Sequence, residues 1–290
     1  MASIIDLVGN TPLVEIRKIN PNPNVRMYAK LEGNNPGGSV KDRPALNMIK
    51  SALERGDIKA GTRLIEATSG NTGIALAMIA RLFDLEIELV MPSSSTRERT
   101  VTMEAFGAKV TLLENIETCR DYAEEKAVTG NYFLLNQFAN PDNYLAHFNT
   151  TGPEIWKDTD GQITHFVSSM GTTGTIMGTS MFLKEKDKSI QIVGCQPTEE
   201  SSIPGIRRWP KEYLPKIFDA SRVDRTMDVS QAEAVDMTRQ LAKAEGIFAG
   251  MSSGGAASAA IRLSKELASG VIVFIACDRG DRYLSSDLFG

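Results

Sequence analysis

Short runs rich in Val, Ile and Leu recur along this chain with helix-patterned stretches between them, and that alternation restricts the fold more than any other feature. The runs fall at 27–31, 63–67, 87–91, 110–113, 165–168, 190–195 and 271–276. Several are apolar throughout. A strand that is apolar on both faces must be covered on both, as in a parallel sheet between helix layers. Helical periods fill 42–55, 73–83, 97–106, 119–128 and 230–245. Gly56, Gly107, Gly130 and Gly246 stand at or soon after the ends of four of them, where a left-handed residue closes a helix. The pattern predicts an α/β fold with open, mostly parallel sheets. Segments 137–149 and 197–215 break the rhythm and read as irregular. The second, with Pro197, Pro204, Gly205, Pro210 and Pro215, is longer than an ordinary connection and reads as a functional loop.

With 290 residues, 42% hydrophobic and 23% charged, the chain has the composition of a water-soluble globular protein of one large domain or two joined ones. A net charge of −4 argues against a nucleic-acid partner. No apolar run reaches membrane length, and MASIIDLVGNTPL lacks the form of a signal peptide. Cys119, Cys195 and Cys277 show no paired spacing, so the expected compartment is the cytoplasm and no metal is expected. His147 and His165 read as hydrogen-bonded or solvated histidines.

Ligands in open α/β sheets bind beyond the carboxyl ends of strands, which directs attention to three glycine-containing loops. Gly171-Thr172-Thr173-Gly174-Thr175 can cradle a phosphate with backbone N–H groups and hydroxyls; a ligand-free turn is the plain alternative. Thr68-Ser69-Gly70-Asn71-Thr72-Gly73 suits a carboxylate at a helix start, or simply caps a helix. Ser252-Ser253-Gly254-Gly255 is explained by a helix cap unless a ligand requires it. Lys41 stands just ahead of a helix whose first turn holds Pro44, where a cation is electrostatically disfavoured. A deprotonated or imine-bound lysine escapes that penalty.

These four segments, in this order and preceded by Val8-Gly9-Asn10-Thr11-Pro12-Leu13, resemble the cysteine synthases (O-acetylserine sulfhydrylases) among the fold-type II pyridoxal-phosphate enzymes. The resemblance covers essentially the whole chain. Ser201-Ser202-Ile203-Pro204-Gly205-Ile206-Arg207-Arg208-Trp209-Pro210 and Cys277-Asp278-Arg279-Gly280-Asp281-Arg282-Tyr283 look like the B-type members. The sequence stops at Gly290, short of the tail expected in relatives.

The resemblance implies two three-layer α/β domains, a small one at 35–144 and a large one formed by 1–34 with 145–290, and pyridoxal 5'-phosphate in the cleft between them. It implies that Lys41 holds the cofactor and moves the substrate's α-proton. Asn71 would lie beside the cofactor ring, Gly171, Thr172, Thr173, Gly174 and Thr175 would bind its phosphate, and Ser252, rather than Ser253, would face its ring nitrogen. Thr68, Ser69 and Thr72 would bind the substrate carboxylate, with Asn71 beside them. The implied reaction makes L-cysteine from O-acetyl-L-serine and sulfide through an α-aminoacrylate, in a homodimer. The B-type likeness adds thiosulfate as a donor, which would need a cationic partner. Arg207 and Arg208 are the candidates, with a surface or dimer contact as the alternative. Those arginines equally suit an O-phosphoserine-dependent cysteine synthase. A dehydratase is disfavoured by Thr72, where a histidine is expected. A cystathionine β-synthase lacks its regulatory region here, and a non-catalytic binding protein is disfavoured by Lys41.

Overall fold

The computed structural model describes residues 3–68 and 70–290; Met1, Ala2 and Ser69 lie outside the described residues. The chain opens with strands β1 (Leu13–Glu15) and β2 (Val25–Leu31) and helix α1 (Asp42–Arg55). Strand β3 (Arg63–Ala67), helix α2 (Asn71–Leu82), strand β4 (Glu86–Pro92), helix α3 (Arg97–Ala105), strand β5 (Lys109–Leu113), helix α4 (Ile116–Val128) and strand β6 (Phe133–Leu134) follow. Next come helices α5 (Pro141–Asn149) and α6 (Thr151–Asp158), strand β7 (His165–Ser169), helix α7 (Gly174–Lys186) and strand β8 (Gln191–Pro197). Strand β9 (Arg225–Val229), helices α8 (Gln231–Gln240) and α9 (Met251–Glu266) and strand β10 (Gly270–Ala276) complete the regular elements.

The strands form two sheets, ordered β1-β2-β10-β7-β8-β9 and β5-β4-β3-β6. β1 runs antiparallel to β2; the other pairings are parallel. Both sheets are covered on both faces, as strands apolar throughout require. Ile272 and Phe274 of β10 pack with Ala256 and Ala260 of α9, while Val273 and Ile275 pack with Ile155 of α6 and Ile176 of α7. In the other sheet Leu64 packs with Ile49 and Ile79, and Ile65 with Ile116 and Cys119.

Where the structure departs from the sequence reading, local chemistry explains it. Within 137–149, expected to be irregular, Asn140 caps a helix by accepting the Asp142 N–H at 2.9 Å, and Pro141 occupies the first position. The domain boundary expected at Tyr144 falls inside this helix α5. The helix expected over 230–245 changes at Leu241 into a π-turn that ends at Gly246. Ser252 and Ser253 do not cap a helix; they lie inside the first turn of α9, whose cap is Gly250.

Helix α7, which carries the 171–175 loop, packs closely on α5. A methyl on Gly178 would lie 1.9 Å from the Tyr144 carbonyl oxygen and 2.8 Å from the Phe148 nitrogen, so the two backbones meet only because no side chain stands between them. Gly178→Ala is expected to destabilise the fold by about 1–3 kcal/mol, the usual cost of overpacking a tight core. A urea titration should show a lowered midpoint; an unchanged midpoint would mean that α5 and α7 can part freely.

Candidate active site

A cleft of about 360 Å³ opens where the loops after the strands converge, lined by Lys41, Asn71, Thr72, Gly171, Thr175 and Ser252 among others. These residues stand at or near the starts of α1, α2, α7 and α9. Helix starts carry unsatisfied N–H groups and partial positive charge, so the walls favour anionic groups.

Lys41 immediately precedes α1, with its backbone N–H donating to Ser39 Oγ at 3.2 Å. Among the described residues its amine makes no hydrogen bond or ion pair. Burial pushes the ammonium below its ordinary range, against the pull of Cys277, Asp278 and Glu32. This is the setting in which a lysine becomes a usable nucleophile and base.

The rigidity of this corner comes from buried charges. Arg43, two residues past Lys41, sets Nε 2.7 Å from Glu32 Oε2 and Nη1 2.6 Å from Glu154 Oε1. Thr11 donates to Glu32 Oε1 at 2.6 Å, and Lys30 pairs with Glu154 at 2.9 Å. Gly9 N–H reaches Asn35 Oδ1 at 2.8 Å and Asn10 N–H reaches Glu154 Oε1 at 2.9 Å. The opening Val8–Leu13 motif therefore clamps the ion cluster that anchors α1. Burial alone would raise the Glu32 carboxyl; Arg43 and Thr11 overcome that and hold it below its ordinary value.

In the 68–73 loop, the Thr68 hydroxyl accepts the N–H groups of Gly70 and Gly73 at 3.1 and 3.2 Å. Gly70 has φ +146°, and a methyl there would lie 2.5 Å from Arg99 Cδ. Thr72 lines the cleft and donates to Gln137 Oε1 at 2.8 Å. The expectation for Ser69 lies outside the described residues. Asn71 donates to Asp278 Oδ2 at 2.7 Å and accepts from Arg282, so both ends of its amide are engaged. Tyr283 also donates to Asp278 Oδ2, at 2.7 Å.

The 171–175 loop leaves β7 and enters α7 through Thr173, a non-glycine residue with φ 71°. Among the described residues the buried Thr173 hydroxyl has no hydrogen-bond partner. A methyl on Gly171 would lie 2.8 Å from the Gly205 carbonyl oxygen, and one on Gly174 would lie 2.0 Å from Asn143 Oδ1. Thr172 Oγ1 accepts from Asn143 at 3.3 Å. His147 Nε2 lies 3.3 Å from Thr175 Oγ1 and its Nδ1 2.8 Å from Thr151 Oγ1. Burial pushes His147 down to about 3, so it stays neutral near this loop.

Ser252 lines the cleft, and its carbonyl accepts from Ser169 Oγ at 2.7 Å. Ser253 is turned to another task, its hydroxyl accepting the Cys277 N–H at 2.9 Å. The Cys277 thiol borders the cleft, but burial pushes it up to about 11, so it is not a standing thiolate.

The two candidate arginines part company. Arg207 lines the cleft, half-buried, and among the described residues its guanidinium makes no hydrogen bond or ion pair. Arg208 is absent from the lining; it pairs with Asp228 at 2.7 Å and donates to the Pro197 carbonyl at 3.0 Å. Sequence reading missed Gln137, Asp278 and Arg282. Gln137 sits in the segment read as irregular, and that irregularity between a strand end and a cap was its only signal.

A family model described as pyridoxal-phosphate dependent enzyme matches residues 4–278. Cysteine synthase B of Pseudomonas aeruginosa is 59% identical over 290 residues, covering 99% of this chain and 97% of that protein. Cysteine synthase B of Escherichia coli is 56% identical, covering 100% and 97%. The crystal structure of cysteine synthase from Entamoeba histolytica superposes with a TM-score of 0.93 at 37% identity, covering 100% of this chain and 90% of that one. The chain belongs to the pyridoxal-phosphate dependent enzyme family. Its activity is pyridoxal-phosphate dependent cysteine synthesis. The cleft fits that cofactor on its own evidence: a 171–175 loop with no room for side chains at Gly171 and Gly174 and, among the described residues, a Thr173 hydroxyl and a Lys41 amine without partners.

Replacing Arg43 by Met would leave Glu32 and Glu154 short of their shared cation. Breaking a buried pair from one side costs roughly 3–5 kcal/mol. Calorimetry of Arg43→Met should show a melting temperature lowered by many degrees; a near-native value would mean that the ion cluster is dispensable.

Proposed function

We propose that this enzyme makes L-cysteine from O-acetyl-L-serine and sulfide, and that it also accepts thiosulfate, with Arg207 receiving the donor's sulfonate end. In this reading Lys41 supplies the amine that holds the cofactor. The 171–175 loop takes the phosphate, Asn71 stands beside the ring, and Ser252 meets the ring nitrogen with a neutral hydroxyl. When bound, pyridoxal phosphate supplies the electron sink that makes the amino acid's α-carbon acidic and lets its β-substituent leave.

The remaining work falls to the protein's own side chains. Burial lowers the Lys41 amine's hold on its proton, which suits it to take the α-proton and later return it. The start of α2 offers the Asn71 and Thr72 amides to the substrate carboxylate, and Thr68 shapes the loop that presents them. The part of the expected 35–144 domain that lies between α1 and α5, which carries the 68–73 loop, is proposed to close over the cleft and keep water from the reacting carbons. The proposed state is a homodimer, to be checked by light scattering. No helix among the described residues is long and apolar enough to cross a membrane, and the three cysteines are unpaired, which supports the proposed cytoplasmic location.

The observation that carries the donor reading is a half-buried guanidinium in the cleft without a partner among the described residues. A dianion brought into a cleft needs such a donor. The same feature favours a second reading, in which Arg207 meets the phosphate of O-phosphoserine, and one variant separates them. If Arg207 serves the donor, Arg207→Ala should raise the KM for thiosulfate about ten- to a hundredfold while that for sulfide stays close to wild type. Arg208→Ala should change neither. A selective loss with O-phosphoserine would favour the second reading, and equal losses with every substrate would remove Arg207 from recognition.

A further inference from the structure

Glu66 is a carboxylate that the chemistry above does not use. It sits near the end of β3, 1% exposed, beneath the wall that holds Thr68 and Gln137. The β3–β6 pairing stops at Ile65 opposite Leu134. The chain then turns through Asn136, whose φ of 57° is left-handed and cannot continue a ladder. Glu66 takes over where the ladder ends. Its Oε2 accepts the Asn136 N–H at 2.8 Å, and its Oε1 accepts the Gln137 N–H at 3.1 Å.

Gln137 is thereby fixed by its main chain, and its side chain completes a corner of the cleft. Its Oε1 accepts from Thr72 and its Nε2 donates to the Ala67 carbonyl at 2.6 Å. Its own carbonyl accepts from Asn143 at 2.7 Å, and Asn143 also donates to Thr172 in the phosphate loop. One residue thus links the carboxylate-binding loop to the phosphate-binding loop. Burial pushes the Glu66 carboxyl up to about 8, against the pull of the Gln137 and Asn136 amides and of Arg120. A side chain so costly to ionise there is poorly explained as filler.

We propose that Glu66 is a positioning residue: it holds Gln137 in register and so sets the affinity of the cleft for its amino-acid substrate. The reason for an acid is its hydrogen-bonding inventory. Two adjacent N–H groups need two acceptors. Each carboxyl oxygen keeps a lone pair for one N–H whether the acid is ionised or protonated, whereas an amide of the same shape turns an NH₂ toward one of the donors.

The proposal rests on the reading that the Thr72–Gln137 corner receives the amino acid, and the test separates the two. In a two-step replacement, kcat/KM for each substrate reports its own half-reaction. Glu66→Gln should lower kcat/KM for O-acetylserine on the order of tenfold to a hundredfold. It should leave kcat/KM for sulfide and the bound cofactor's absorbance near wild type. Calorimetric binding of L-serine should weaken in parallel, without reference to turnover. Glu66→Asp, which keeps the carboxyl group but withdraws it by one methylene, should shift binding in the same direction. On a Gln137→Ala background Glu66→Gln should add little. Unchanged serine binding in Glu66→Gln, with Gln137→Ala impaired, would overturn the role of Glu66 alone. Unchanged binding in Gln137→Ala would remove the corner and the proposal together. Equal losses with both substrates, or failure of both Glu66 variants to fold, would assign Glu66 to sheet stability and overturn the positioning role.

Discussion

The active-site corner depends on the buried ion cluster around Arg43. Glu32 and Arg43 are nearly removed from water, and Glu154 largely so. Charges so placed are tolerated only when each lone pair and proton has a partner. The requirement fixes several chain segments at once: the end of β2, the start of α1, the Val8–Leu13 segment and α6. Lys41 is two residues from Arg43, so the position of the reactive amine is set by a network that never enters the cleft.

Two buried lysines make the contrast plain. Lys30 is fully buried and saturated, with Glu154, Asp158 and the Thr11 carbonyl around its amine. It is a fixed cation with no freedom to react. Lys41 sits at a helix start with none of these partners and a depressed affinity for its proton. The walls around it are built the other way, with helix starts and an orphaned hydroxyl that attract anions. A cofactor that joins an aldehyde to a phosphate, and a substrate that carries a carboxylate, each find an opposite in this cleft. Closing such a site over its contents strengthens these interactions by lowering the local dielectric.

The apolar runs made seven strands legible, most of them because they are covered on both faces and leave Val, Ile and Leu close together in the sequence; β5 is instead an edge strand with Leu112 half exposed. β9 was invisible because Arg225–Val229 is a sheet-edge strand with charged residues facing water. β1 and β6 are too short to carry any period. α9 was legible only through the helix cap expected at Ser252–Gly255. Its glycines lie inside the helix, where a methyl on Gly254 would stand 2.1 Å from Thr238 Oγ1, so close packing on α8 rather than turn formation explains them. The site loops were readable as an ordered set of motifs. The site contacts of Gln137, Asp278 and Glu66 were not, because each acts through a partner distant in sequence; Asp278 showed only as part of the Cys277–Tyr283 motif, and Gln137 only through the irregular segment that holds it. Arg207 and Arg208 are neighbours of one type; only the fold, by giving Arg208 to Asp228, tells them apart.

The Lys41 amine, without a partner among the described residues, is proposed to hold the cofactor. Borohydride reduction of the cofactor-loaded enzyme, followed by proteolysis and mass spectrometry, locates the lysine directly. The added pyridoxyl-phosphate mass should appear on the peptide containing Lys41 and on no other. The same mass on Lys30 or on a surface lysine, with Lys41 unmodified, would contradict it.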